Sequence, residues 1–153
     1  MARSDATARL NNPEVNWNEP ASAVPVSAED GEHLMVRKGV RCAGAHLIVD
    51  VYGGSRLDDL PHIEDTLKKC VEVSGATLLH VHLHHFDDNS GVSGVAVLAE
   101  SHISIHSWPE HAYAALDIFM CGDTTPEACV AVLREAFAPD RIAVQEFLRG
   151  KDL

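Results

Sequence analysis

The stretch from Ala99 to His111, Ala-Glu-Ser-His-Ile-Ser-Ile-His-Ser-Trp-Pro-Glu-His, gathers hydroxyls, imidazoles and carboxylates, and Cys121 follows it with a thiol. Imidazole is partly neutral near pH 7 without help, and a thiol has a reference pKa of about 8.5, so base and acid are both at hand. Two apolar runs, Val92 to Leu98 and Tyr113 to Met120, flank the stretch and read as buried strands. A buried polar group without a partner costs on the order of 1–3 kcal/mol, so this much polarity between such strands points to a site. The competing reading is an edge strand and turn. Ser101, Ile103 and Ile105 alternate with His102, Ser104 and His106 as on a strand with one wet face.

The elements that position these residues follow from periodicity and breakers. Gly44 to Tyr52 is a strand ended by Gly53-Gly54-Ser55. Asp58 to Val73 places Leu60, Ile63, Leu67, Cys70 and Val71 at helical spacing, and Ser74-Gly75 stops that helix. Strands follow over 77–85, 92–98 and 112–120, with the polar stretch between the last two. Thr124-Thr125-Pro126-Glu127 opens a second helix through Phe137, with Thr124 or Thr125 as its cap, and Arg141 to Leu148 is a last strand. This order predicts an α+β fold, a two-layer α/β sandwich with a mainly antiparallel sheet and two helices on one face.

Residues 1–40 carry Asn11-Asn12-Pro13, Glu19-Pro20 and Val24-Pro25 with no sustained period, and read as a mobile N-terminal extension into which Trp17 and Leu34-Met35-Val36 bring isolated apolar groups. Residues 41–153 form a single domain. Of the 153 residues 46% are apolar, enough for one core, and no run approaches the roughly 20 apolar residues of a membrane span. A net charge of −11 argues against a nucleic-acid partner and suits a cationic substrate. The N-terminus has no basic segment followed by an apolar one, so a cytoplasmic location is expected. Cys42, Cys70, Cys121 and Cys129 form no Cys-x-x-Cys pair and read as reduced thiols, three of them core fillers.

Glu100-Ser101-His102, Ile105-His106, Trp108-Pro109-Glu110, Tyr113-Ala114-Ala115, Asp117, Phe119 and Cys121-Gly122 together form a string that resembles the self-cleavage region of the bacterial and archaeal S-adenosylmethionine decarboxylases. The resemblance runs from Gly44 to about Gly150. It implies a short pyruvoyl-dependent enzyme of polyamine synthesis that cuts itself between Glu100 and Ser101. Ser101 would become a covalent pyruvoyl group, a ketone that forms a Schiff base with the substrate amine. By the same resemblance His106 and Ser93 promote processing, and Cys121 returns a proton to the substrate carbon. The resemblance further implies that Glu110 accepts bonds from ribose hydroxyls, that Phe86 stacks on adenine and that Asp50 matches an acidic position on the first strand. Trp108 is a third substrate candidate, since a sulfonium cation would gain from aromatic faces. The implied assembly is a homodimer of cleaved protomers with pockets built from both, taking S-adenosylmethionine as a small-molecule substrate.

Other features read differently. Gly91-Val92-Ser93-Gly94 is not a hydrolase elbow, because Val95 stands where a glycine is needed. His80, His82 and His84 share one strand face at roughly 6–7 Å spacing, too far apart to converge on one ion, so no metal is expected there and, with His85, they read as a hydrated face. Asp87 and Asp88 are two carboxylates in the loop after Phe86, read as a solvated turn that would alternatively recognise a second cation. The alternatives are accordingly an L-arginine or L-ornithine decarboxylase of the same family, or, outside catalysis, an unprocessed non-enzymatic or metal-binding subunit.

Overall fold

The computed structural model describes residues 33–87 and 90–153. Trp17 and most of the expected extension, and Asp88 and Asn89 of the loop, lie outside the described residues. The elements run β1 (Met35–Arg37), β2 (Val40–Cys42), β3 (Gly44–Tyr52), α1 (Leu60–Ser74), β4 (Leu78–His85), β5 (Val92–Leu98), β6 (Ser101–Trp108), a 3-10 turn (Pro109–His111), β7 (Tyr113–Met120), α2 (Ala128–Phe137) and β8 (Arg141–Arg149).

Strands β3 to β8 form one six-stranded sheet in the order β4-β5-β6-β7-β3-β8, antiparallel at every junction. Each strand alternates, as its sequence requires: Ala45, Leu47, Val49 and Val51 of β3, Ile103 and Ile105 of β6, and Ala114, Leu116, Ile118 and Met120 of β7 are buried. With Ala45 set apart beneath β1 and β2, these side chains share one core with Ile63, Leu67, Cys70 and Val71 of α1 and with Cys129, Leu133 and Phe137 of α2. Both helices therefore cover the same sheet face, and the chain is the two-layer α+β sandwich its sequence predicts.

The helix termini show where local chemistry decided the boundaries. Asp59 caps α1 by accepting from the His62 amide at 3.0 Å, and Gly75 ends it in the left-handed region. The threonine cap expected for α2 does not form. Thr124 Oγ1 donates instead to the Cys121 carbonyl at 3.0 Å, and the helix starts only at Ala128, without a side-chain cap. That carbonyl follows the end of β7 and has no ladder partner, so the hydroxyl is better used there.

The N-terminal expectation also needs its boundary moved. Residues 35–42 are a two-stranded hairpin turned at Lys38 and Gly39, both with positive φ. Met35 and Cys42 are buried with Ala45 against Leu148, so the apolar group at Met35 has a place in the core. Strands of three residues are too short to leave a readable period, which is why the sequence looks irregular there.

Gly94 illustrates how tightly β4 and β5 approach. A Cβ there would collide with the His82 carbonyl oxygen and the Leu83 side chain. Gly94→Ala is expected to cost about 1–3 kcal/mol and to lower the thermal midpoint by about 3–10 °C, a shift that calorimetry reads directly.

Candidate active site

Among the described residues no helix lies on the opposite sheet face, and the strand registers order its side chains into rows. One row runs His80, Val97, His102, Phe119, His46, Phe147. The next runs His82, Val95, Ser104, Asp117, Ile48, Gln145, and the third His84, Ser93, His106, Ala115, Asp50, Ala143. Trp108, Tyr113, Tyr52 and Arg141 form the last. The reactive residues therefore fall into two groups at opposite ends of β6 and β7.

The first group is built at the two-residue link from β5 to β6. Leu98 pairs with Ser101, and Glu100 between them has φ 61°. Left-handed backbone at a residue with a Cβ costs roughly 1–2 kcal/mol, so this peptide is held in place by its neighbours. Cys121 supplies two of the contacts. Its Sγ donates to the Glu100 carbonyl oxygen at 2.8 Å, and its backbone N–H donates to Ser101 Oγ at 3.3 Å. Ser101 Oγ is 3.6 Å from Cys121 Sγ and the residue is nearly buried, at 8% exposure. A hydroxyl, a thiol and a polarised carbonyl thus meet at one strained peptide, the arrangement required for a hydroxyl to attack its own amide.

The second group lies at the far end. Ser93 Oγ and His106 Nδ1 are 2.8 Å apart, and the Ser93 neighbourhood is plain β-strand with no strand-turn-helix elbow. Trp108 stacks on Tyr113 at 5.4 Å between centroids, Tyr113 meets Tyr52 at 5.3 Å, and the Arg141 guanidinium lies 4.0 Å over Tyr52. A cleft of about 420 Å³ opens among Tyr52, Trp108, His111 and Tyr113. Tyr113 donates to Asp50 at 2.6 Å, and that bond to a carboxylate pushes the phenol up to about 12. Phe86 is exposed at the same end and packs edge-on against His84, and Glu110 is exposed on the 3-10 turn.

The structure therefore does not bring all the sequence-derived residues together. Glu100, Ser101 and Cys121 meet. His106 is five residues along β6 from Ser101, about 16 Å by strand rise, and it projects from the open face while Ser101 projects from the covered one. Neither His106 nor Trp108 reaches Ser101 of its own chain.

Between the groups lies a polar cluster that spacing did not reveal. Arg149 Nη1 is 3.3 Å from His46 Nδ1, His46 Nε2 is 3.0 Å from Asp117 Oδ1, and Ser104 donates to Asp117 Oδ2 at 3.4 Å. His102, beside His46, is held below the ordinary histidine range chiefly by burial, with His46 adding to it and Asp117 opposing. The signal lay in Asp117 and Ser104 being directly opposed on neighbouring strands, legible only once the register was known.

His80 and His82 stack at 6.5 Å and, with His84, are exposed; among the described residues no three His, Cys, Asp or Glu side chains converge as a metal site. Cys42, Cys70 and Cys129 are buried, and all four thiols are free.

A helix-backed antiparallel sheet that gathers a hydroxyl, a thiol and a strained peptide on a hairpin at its rim is the class that fold and site define. A profile of the S-adenosylmethionine decarboxylase family matches residues 45–150, and the chain belongs to that family. It is 43% identical over 112 residues to an S-adenosylmethionine decarboxylase proenzyme of Thermomicrobium roseum, covering 72% of this chain and 97% of the relative. A Methanococcus vannielii proenzyme of the same name is 46% identical over 110 residues, covering 70% and 89%. The crystal structure of the adenosylmethionine decarboxylase of Aquifex aeolicus superposes with a TM-score of 0.61 at 32% identity, over 70% of this chain and 90% of that one.

Proposed function

We propose that this S-adenosylmethionine decarboxylase is made as a proenzyme that breaks its backbone between Glu100 and Ser101, and that its active sites form between two copies in the cytoplasm. The observation that carries the first part is the 2.8 Å contact from Cys121 Sγ to the Glu100 carbonyl, with Ser101 Oγ beside it.

Ser101 Oγ attacks that carbonyl, a C–O bond forms as the C–N bond breaks, and the hydroxyl proton passes to the freed amine. Negative charge gathers on the carbonyl oxygen, where the Cys121 thiol donates. Removal of the position-101 Cα proton then expels the Glu100 carboxylate and leaves dehydroalanine. Hydrolysis releases ammonia and leaves a pyruvoyl terminus, and no oxidant or reductant enters. The residues at the hairpin fit such a group, since the new ketone would inherit the place of Ser101 beside a proton-bearing thiol. A pyruvoyl group supplies an electrophile that takes up the electron pair released with carbon dioxide. Cys121 then returns a proton to the substrate carbon.

The second part rests on the separation of the two groups. A two-fold axis through the middle row of the open face, near Ser104 and Asp117, exchanges its ends. His106, Ser93, Trp108, Phe86 and Glu110 of one copy then come over the sheet end of the other, where the β5–β6 link carries Glu100 and Ser101 at the rim beside Cys121. Val97, Phe147 and Trp108 are 40%, 48% and 37% exposed on this face, apolar surface suited to a partner sheet. In the combined site Glu110 accepts from ribose hydroxyls, Phe86 and Trp108 give aromatic faces to adenine and sulfonium, and Asp50 holds Tyr113. The net charge of −11 favours a cationic substrate.

Carbon dioxide release from labelled S-adenosylmethionine, L-arginine and L-ornithine, assayed in parallel on cleaved protein, tests the substrate; release from an amino acid alone would overturn it. Cys121→Ala is expected to slow backbone cleavage by about tenfold and decarboxylation by at least ~10²-fold, because it removes a carbonyl donor in one step and the proton source in the other. Intact-mass time courses and turnover per cleaved chain measure the two separately.

A further inference from the structure

The family match begins at residue 45, yet a residue well before it touches the hairpin that carries the reactive groups. His33 Nδ1 lies 2.5 Å from Glu100 Oε2, and the His33 carbonyl accepts from the Gly122 amide at 3.1 Å. One residue thus braces both sides of the candidate cleavage site, through the side chain of Glu100 and through the backbone next to Cys121.

The brace is itself anchored. Directly after it, β1 and β2 are tied down by Arg37, whose Nε donates to Glu146 at 2.7 Å and whose Nη1 meets Glu127 at 3.1 Å, and by Lys38 on the same Glu146 at 2.5 Å. Met35 and Cys42 are buried beneath, and the Asp152 amide donates to the Arg41 carbonyl at 3.1 Å. Those ion pairs hold Glu146 below the usual carboxylate range, with Lys38 the larger cause. His33 is therefore presented to Glu100 by a fixed element.

Glu100 needs such support. It is the second residue of a two-residue link, the place that favours glycine, and it adopts a left-handed φ with a long side chain attached. In that conformation its carbonyl accepts from the Cys121 thiol at 2.8 Å. The Cys121 thiol holds the carbonyl, and His33 holds the carboxylate. We infer that His33 is a positioning residue for self-cleavage, fixing Glu100 so that its carbonyl stays aligned with the Ser101 hydroxyl. The inference rests on the proposed cleavage between Glu100 and Ser101.

The test follows cleavage by intact mass in freshly synthesised full-length chain. His33→Ala is expected to slow cleavage about three- to fivefold, the range for an exposed hydrogen-bonded contact, while turnover per cleaved chain is unchanged. His33→Gln keeps an N–H donor and should recover most of the rate. In a Glu100→Ala background, which has no side-chain acceptor left, His33→Ala should add little further loss. His33→Ala cleaving at the wild-type rate, or slowing cleavage equally with Glu100→Ala present, overturns the inference while leaving self-cleavage standing. A wild-type chain that stays whole overturns both.

Discussion

Ser101→Ala is expected to give a single uncut chain of 153 residues and to lower decarboxylation by at least ~10³-fold. The side chain is nearly buried, its oxygen accepts from the Cys121 amide and lies 3.6 Å from the Cys121 thiol, and alanine gives up only these two contacts to one neighbour, so the fold should survive. Unchanged far-ultraviolet circular dichroism and thermal midpoint would separate lost chemistry from lost structure. The reason for so large an effect is that the same oxygen is the attacking group in the first step and the leaving oxygen in the second. Hydroxyls near it are engaged elsewhere: Ser104 bonds to Asp117, Ser107 donates to the Leu57 carbonyl at 2.7 Å, and Thr124 donates to the Cys121 carbonyl at 3.0 Å. Cleavage at the normal rate in this variant would mean that the reacting residue lies elsewhere.

The second large effect concerns the separation of His106 from Ser101. His106→Ala alone and Ser101→Ala alone should each block cleavage, the former by at least ~10²-fold if imidazole is the base. Co-expressed, the two variants should yield cut protein. In a mixed pair one site combines the intact Ser101 of the His106→Ala chain with the intact His106 of the Ser101→Ala chain. The cut chain should be the one carrying His106→Ala, which mass spectrometry identifies by its fragments. Were each site complete within one chain, mixing would rescue nothing. The expectation follows from the two-fold pairing proposed above together with strand rise, because five residues of extended chain put about 16 Å between His106 and Ser101 of one copy.

These two predictions also mark where the sequence was readable. The alternation of Ser101, Ile103 and Ile105 with His102, Ser104 and His106 is how β6 is built, and β3 occupies Gly44–Tyr52 as its apolar run and glycine terminator imply. Gly75 ends α1 because only a residue without a Cβ enters the left-handed region freely. Ser101 and Cys121 come together because β6 and β7 are antiparallel neighbours joined by a short turn.

What the sequence concealed depends on register and on local competition. The resemblance gives Ser101 and His106 a shared reaction, and only the strand geometry shows how far apart one chain holds them. The hydroxyl of Thr124 looked like a helix cap, but a nearer unsatisfied carbonyl claimed it. The His46, Asp117, Ser104 and Arg149 cluster draws on four strands, and no linear spacing encodes it. His33 sits in a stretch of weak pattern, and only the β1–β2 hairpin brings it to Glu100.

The central claim is that this chain cuts itself, and the intact mass of the purified wild-type protein after overnight incubation tests it most directly. The account expects two fragments, one ending at Glu100 and one beginning at position 101 with a pyruvoyl group in place of serine, the latter giving a covalent adduct when S-adenosylmethionine and borohydride are added together. A single unbroken chain of 153 residues under the same conditions would contradict it.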